Sequence, residues 1–485
     1  MIVVRYSEIG LKGTRARRMM ENRLRSNIRQ GLLSAGESAD FRWERGRLFL
    51  DGYSRSEVVM DVLRRTMGVK SFSEVTEMKF SKPSEIVDMA IQLYSGLLSG
   101  KKFAVRSRRA GGQNFTSMNL NLLVGDALFP YSDGVDLEHP EVEVNIELRD
   151  NRAYFFSGSH EGPGGLPIGS EGKLVALVSG GIDSPVAAWM AMKRGSPLEF
   201  VFVSLAHPVD TMDFLWVMKR LISRWVHGFD PVIHILDGSA IVRELAGRDD
   251  YLAPSVTFKR ILYSTAQRIA MSTGAYGIVT GESLGQVSSQ TPENLLVINS
   301  GIDFPVYRPL AGMDKDEITA MARRIGTFPE SNKGEFCSLF SRNSVMGVTS
   351  DQVNHDIGLF PFVDNLLSSE TVIRGSTLDE YASSIPVTDL RGGEFGPDPV
   401  VVDLRGIEKF NEWHYPGSLH ARMGDVRGIV DKFGRGKTYV FYCQKGLQSA
   451  YAASEARKMG AIAYYLTSEA IRRMTQSGKP NISET

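Results

Sequence analysis

The chain has 485 residues with a 42% hydrophobic content, and its 56 Lys or Arg balance 56 Asp or Glu to a formal charge of zero. That length suggests about three or four domains, and the lack of any apolar run near 18 residues excludes a transmembrane helix. With two cysteines, Cys337 and Cys443, a disulfide framework is excluded, a zinc or iron–sulfur centre is disfavoured, and a reducing, cytoplasmic setting is expected. MIVVRYSEIG has no basic region leading into an apolar block, so a secretory signal is not expected.

In chain order, residues 1–55 read as strand, basic helix and strands, which suits a small α+β unit. Its helix is unusual in charge: Met1 to Gln30 carry eight Lys or Arg against Glu8 and Glu21. Residues 56–165 mix two amphipathic helices, SEVVMDVLRRTMG and SEIVDMAIQLYSGLLSG, with the alternating strands KKFAVRSRR, VEVNIELRD and RAYFFSGSH. Taken alone, this cluster and the acid-free KKFAVRSRR from Lys101 to Arg109 are ordinary solvated faces. The Gly/Pro segment from Gly162 to Lys173 marks a boundary.

From residue 170 to 342 the pattern becomes strand–helix alternation. LVALVS, LEFVFVSL, PVIHIL and YGIVTG are near-continuous apolar runs, as expected of parallel strands buried on both faces. This predicts a doubly wound parallel sheet with its ligand site at the carboxyl ends of the strands. Residues 343–384 show no clear period and are expected to be a linker, mobile enough to tether a C-terminal domain. Residues 385–485, with DPVVVDLR, KTYVFYCQKG and SAYAASEARKMG, predict that domain as a second, compact α/β unit.

The stretch VALVSGGIDSP carries chemistry. A strand opens into Ser179, Gly180 and Gly181, where two glycines allow positive φ and close approach of an anion. Ser184 suits a helix cap and Pro185 the first helical turn. Phosphate is favoured at such a helix start, with hydroxyls from Ser179 and Ser184 and with Asp183 as a carboxylate for Mg2+. The lysine of a Walker loop is absent. The Ser-Gly-Gly-x-Asp-Ser run resembles the PP-loop of ATP pyrophosphatases. Together with TGESLGQVSSQT from Thr280, RPLAGMDKDEI from Arg308 and YSEIGLKG near the start, it resembles the tRNA 4-thiouridine synthetases (ThiI). FAVRSRRAGGQNFTSMNLN is similar to the THUMP RNA-binding domain of that family.

The resemblance implies a ferredoxin-like N-terminal domain, a THUMP domain, a PP-loop ATP pyrophosphatase domain and an α/β rhodanese-like domain. By position it implies ATP contacts at Leu177, Val178, Ser179, Gly180, Gly181, Ser184, Phe202, Val203, Lys259, Gly281 and Gln290. The side chains of Phe202 and Val203 are expected to be plain core. Phe258-Lys259-Arg260 stands where the family often has Cys-Arg-Arg. Lys12, Arg15, Arg18, Arg106, Arg108 and Arg109 become expected tRNA contacts, which position an RNA without reading bases.

Cys443 follows the apolar run TYVFY and precedes a helix-like segment, a setting that lowers a thiol pKa. Gly446 permits the tight loop and Lys445 adds positive charge. CQKGLQS resembles a rhodanese loop, which carries a persulfide on this cysteine, although Gln448 replaces the usual Arg. Cys337, in KGEFCSLF, alone reads as packing. The resemblance makes it the second redox cysteine, able to form a disulfide with Cys443. The expected activity is an ATP-dependent tRNA sulfurtransferase acting on uridine 8, with sulfur supply to thiazole synthesis for thiamine left open. Its expected partners are tRNA, a cysteine desulfurase or other persulfide donor, a thiol reductant and a second copy of the chain, with no membrane. A thiolase making 2-thiouridine or 2-thiocytidine, an amidotransferase-type ligase and a non-catalytic RNA-binding sulfur carrier are the rivals. THUMP plus rhodanese disfavours the first, the lack of a glutaminase-like domain the second, and intact SGGIDS and TGESLGQ the third.

Overall fold

The structure, a computed structural model, describes residues 1–485 apart from 7, 45, 111, 247, 329–339, 341–346, 386–397, 445 and 478–485. The chain divides into two units, residues 1–170 with 193–195 and residues 171–192 with 196–485.

The first unit contains two sheets. In one, the strands Asp40–Glu44, Arg47–Asp51, Ile2–Arg5, Ser71–Glu74 and His160–Glu161 lie in that order, all antiparallel. Strand periodicity sends Ile2, Val4, Leu48, Leu50 and Phe72 to one face, where they pack on Met20, Leu24 and Ile28 of helix Thr14–Ser34 and on Val59, Val62 and Leu63 of helix Ser56–Arg65. The expected boundary at residue 55 therefore falls inside this domain. Helix Ser56–Arg65 supplies half its helical cover, and Ser71–Glu74 pairs with the first strand.

The second sheet runs Thr76–Lys79, Arg152–Phe156, Val142–Arg149 and Phe103–Ala110, the last two parallel. One face, with Phe103, Val105, Val144, Ile146, Leu148 and Phe155, is covered by helices Pro83–Tyr94 and Ser117–Leu128. Its other face meets the other face of the first sheet through Val3, Phe49, Val75 and Tyr154, with Phe49 and Tyr154 stacked at 4.7 Å. The Gly/Pro segment is not loose: Gly162 and Gly164 donate to the Lys70 and Val69 carbonyls, and Asn27 donates to the Ile168 carbonyl at 3.0 Å.

The second unit is built on a six-stranded sheet in the order Val306–Tyr307, Ile278–Val279, Leu174–Leu177, Leu198–Ser204, Val232–Asp237 and Thr371–Arg374. All pairs are parallel except the last. Helices close with left-handed glycines at Gly274 and Gly326, which satisfy terminal carbonyls without Cβ strain. The segment expected as a linker is folded here. Helices Ser350–Gly358 and Phe362–Ser368 contribute Val353, Phe362 and Leu366 to the core, and Thr371–Arg374 adds the antiparallel edge strand. Asp356, fully buried, accepts from the Leu252 and Ala253 amides at 2.8 and 2.9 Å and from Thr257 Oγ1 at 2.9 Å.

A fully parallel four-stranded sheet, Leu419–His420, Val400–Asp403, Thr438–Cys443 and Ile462–Thr467, makes the C-terminal domain. One continuous apolar cluster joins it to the six-stranded domain: Leu205, Ala206, Ile241, Val242 and Leu245 belong to the same core as Ala450, Tyr451, Ala453 and Met423. No helix among the described residues is long and apolar enough to cross a membrane.

Candidate functional site

Strand Leu174–Leu177 lies near the middle of the six-stranded sheet and delivers its loop at the carboxyl end. Val178 still belongs to the sheet, donating to the Val201 carbonyl at 3.0 Å, and Leu177 packs on the core. The loop then closes on itself. Ser184 Oγ accepts from the Ser179 amide at 2.9 Å and lies 3.1 Å from Ser179 Oγ, which in turn accepts from the Gly181 amide at 3.3 Å. Ser184 thus acts as the loop's latch and not as the helix cap expected of it, since helix Asp183–Lys193 already includes it.

Neither Gly180 nor Gly181 has a positive φ. Gly180 is required by packing: a Cβ there would stand 3.0 Å from Asp213 Cβ and 3.1 Å from the Phe214 amide nitrogen of helix Val209–Trp225. Gly281 is tighter still, with a Cβ meeting Ser184 N at 2.6 Å. The TGESLGQVSSQ loop is therefore seated on the start of the Asp183 helix. The Asp183 carboxylate accepts from Lys315 Nζ at 2.8 and 3.2 Å and from Gln286 Nε2 at 2.9 Å. Gln290 braces its own loop, its Oε1 accepting from the Ser283 amide at 3.3 Å.

Behind these motifs sits a buried charge network whose centre, Glu282, sequence reasoning missed. Lys259 Nζ donates to Glu282 at 3.1 Å and Arg308 Nε at 3.0 Å, while Thr280 and Tyr263 donate through their hydroxyls. Burial opposes the charge of Glu282, but Lys259, Tyr263 and Arg308 outweigh it and hold the carboxyl below the usual range. Lys259, expected as a phosphate contact, shares this carboxylate with Arg308. Phe202 stacks on Phe214 at 4.1 Å, Val203 packs on the core, and Phe258 lies 4.6 Å from Phe340. All three side chains are packing groups.

Cys443 ends strand Thr438–Cys443, is 2% exposed and is a free thiol. Its Sγ lies 3.4 Å from Ser449 Oγ, which is held by the Gly446 and Leu466 carbonyls at 2.9 Å each. Gly446, at φ 87°, turns the chain into helix Leu447–Lys458, and Gln448 is half-buried. That helix docks on the six-stranded domain: Ser454 Oγ donates to the His207 carbonyl at 2.5 Å, and Glu455 faces Arg243 at 4.0 Å. Arg422 reaches Asp249 at 2.8 Å from the same domain. Cys337 and Lys445 lie outside the described residues, as does the expected pairing of Cys337 with Cys443.

In the first unit, Lys12, Arg15 and Arg18 are exposed around the start of helix Thr14–Ser34. Arg106 and Arg108 share one face of strand Phe103–Ala110, with Arg106 paired to Glu143 at 2.7 Å. Arg109 points to the other face and donates to the Gln113 carbonyl at 2.9 Å, so the expected basic residues do not form one patch on that strand.

Four family models match in succession. They are the ThiI ferredoxin-like domain over residues 1–73, the THUMP domain over 82–157, the thiamine biosynthesis protein (ThiI) over 169–358 and a rhodanese-like domain over 388–468. A tRNA sulfurtransferase of Thermoplasma volcanium is 44% identical over 466 residues, covering 96% of this chain and 95% of that one. Another, of Thermoplasma acidophilum, is 41% identical, covering 100% of this chain and 98% of that one. Among solved structures, a 4-thiouridine synthetase–RNA complex with bound ATP matches with a TM-score of 0.63 at 29% identity, covering 77% of this chain and 98% of that one.

Proposed function

From membership of the tRNA sulfurtransferase family, to which this chain belongs, we propose that it converts uridine 8 of tRNA to 4-thiouridine. The observation that carries this reading is the latched loop of Ser179 to Ser184, seated under Gly281 at the carboxyl end of a central parallel strand. Loop amides and the Asp183 helix start hold the terminal phosphates of ATP, so that uracil O4 attacks the α-phosphate and pyrophosphate leaves. Leu177, Val178, Phe202 and Val203 supply backbone around the base, and Gly281 and Gln290 fix the second loop. Lys259, which shares Glu282 with Arg308, supplies positive charge for the phosphates.

Asp183 offers one carboxylate, which fits Mg2+ sites that take one or two protein carboxylates and otherwise use substrate phosphates. When bound there, the ion neutralises phosphate charge, with Lys315 and Gln286 orienting the carboxylate.

Sulfur transfer belongs to the C-terminal domain. The terminal sulfur of a Cys443 persulfide attacks C4 of the activated uracil, and AMP leaves with the former O4. The Cys337 thiolate then attacks Cys443 Sγ, the S–S bond to the transferred sulfur breaks, and 4-thiouridine and a Cys337–Cys443 disulfide result. A thiol reductant returns two electrons. A cysteine desulfurase or another persulfide donor reloads Cys443, and a homodimer is the assembly this reading takes.

The test is transfer of radiolabelled sulfur to a tRNA transcript with and without ATP, read alongside nucleotide products. Transfer that needs ATP and releases AMP is the expected result. Release of ADP, or transfer that ignores ATP, overturns the proposal.

A further inference from the structure

The TGESLGQVSSQ loop holds one side-chain polar atom that is buried without a partner among the described residues. Gln286, near its tip, is half-exposed and donates from Nε2 to Asp183 Oδ2 at 2.9 Å. An ionised carboxylate only accepts, so this bond fixes which end of the amide is which. Oε1 is left shielded from water and without a donor. An acceptor in that state is unfavourable until a donor arrives.

The loop around this amide is held on both sides. Gly281 is seated against the Ser184 amide, Ser283 Oγ donates to the Met313 carbonyl at 2.7 Å, and the Gly285 amide donates to the Gln290 carbonyl at 3.1 Å. Lys315 Nζ donates to the same Asp183 carboxylate at 2.8 Å, so that group has a second anchor while it holds the amide. The reacting edge of uracil supplies the kind of donor that Oε1 lacks. Its O4 is the attacking atom, and N3–H, on the adjoining ring atom, is the only N–H of the base once N1 carries ribose.

We propose that Gln286 determines specificity for the target base, its Oε1 accepting from uracil N3–H while Asp183 holds the amide in that orientation. This rests on the reading of uridine 8 as substrate and adds to it the side chain that reads the base. The tip of the loop, at Leu284 and Gly285, is exposed and gives way as the base enters beside Asp183. Cytosine has an unprotonated N3 and an amino group on C4, so it sets acceptor against acceptor. A site built to pair one donor rejects a base that lacks it, because its own polar group is then left unpaired. Accepting from N3–H also enriches O4 in electron density, which favours its attack on phosphorus.

The experiment uses the full chain and its Gln286→Met variant, which keeps the bulk of the side chain and removes the acceptor. Gln286→Ala is the second variant, readable even if the first folds poorly. Substrates are tRNA transcripts that differ only at position 8, where they carry uridine, 3-methyluridine (which lacks the N3 proton) or 2′-deoxyuridine. Initial rates of AMP release give kcat/KM for each, and calorimetric titration gives ATP affinity. The parent should prefer uridine to 3-methyluridine by about a hundredfold, and each variant by no more than about tenfold. ATP affinity should not change. A side chain that only props Asp183 lowers every transcript by one factor and leaves that ratio as it is. An unchanged ratio therefore overturns the proposal, while thiolation of the uridine transcript by the parent stands. Coupling to 2′-deoxyuridine instead assigns the acceptor to the sugar, and lost ATP affinity with an unchanged ratio assigns it to the nucleotide; either result overturns the base assignment. If the parent neither releases AMP nor thiolates the uridine transcript, the substrate reading itself fails and this one with it.

Discussion

At the residue scale, the contact between Gly281 and Ser184 decides how the two nucleotide motifs work together. A Cβ at position 281 would stand 2.6 Å from Ser184 N, and the opposing atoms are backbone, so they cannot swing aside. Gly281→Ala should displace the loop, cost about 1–3 kcal/mol of stability and reduce ATP affinity at least tenfold, as read by thermal melting and calorimetric titration. Glu282 makes a second prediction. Its folded pKa lies below the ordinary value of about 4.3, so its contribution is present above that pH and is lost as pH falls through the lower folded value. Glu282→Gln leaves Lys259 and Arg308 short of a counter-charge and should cost about 3–5 kcal/mol at neutral pH. Urea denaturation at a series of pH values should also show a flatter acid limb in the variant. SGGIDS was legible as an anion loop because its residue types are local signals. The latch role of Ser184 and the pairing of Lys259 with Glu282 were not, because each depends on a group brought in by the fold.

At the element scale, residues 347–385 show where periodicity fails as a signal. Helices Ser350–Gly358 and Phe362–Ser368 have nine and seven residues, too short to display an apolar face over several turns. Strand Thr371–Arg374 is a mostly exposed edge of only four residues, too short to show an alternation. Likewise Ser71–Glu74 has one apolar residue in four, and its pairing with Ile2–Arg5 and His160–Glu161 makes it a strand. The long parallel strands were legible because burial on both faces demands continuous apolar runs. Asp356 ties the short helices to the amides of Leu252 and Ala253. Asp356→Ala should therefore destabilise the six-stranded domain by about 1–3 kcal/mol. It should also turn residues 347–385 from protease-resistant to cleavable, a change that limited proteolysis with mass spectrometry detects.

At the scale of the molecule, Cys443 is buried in a domain docked through Ser454 to His207 and through Glu455 to Arg243. Any bulky partner that reacts with Cys443 needs access that this arrangement restricts. Ser454→Glu places a second negative charge beside Glu455 and against the His207 carbonyl, and should weaken docking. Alkylation of Cys443 by iodoacetamide, followed by mass spectrometry, should then accelerate about tenfold, as expected when local opening becomes more favourable by roughly 1.4 kcal/mol. Equal rates in parent and variant place the gate elsewhere. Cys443→Ala should release AMP and pyrophosphate normally yet leave tRNA unthiolated; loss of both activities contradicts the division of labour.

The unbroken apolar cluster running from Leu205 and Leu245 into Tyr451 and Ala453 makes the C-terminal rhodanese-like domain a poor cassette for protein engineering. Grafted from a relative, it would arrive with half of a fitted joint, and the recipient would present wet, oily surface wherever the two halves disagreed. Exchanging such tails between homologues should succeed only when the 205–208 and 241–246 segments travel with them.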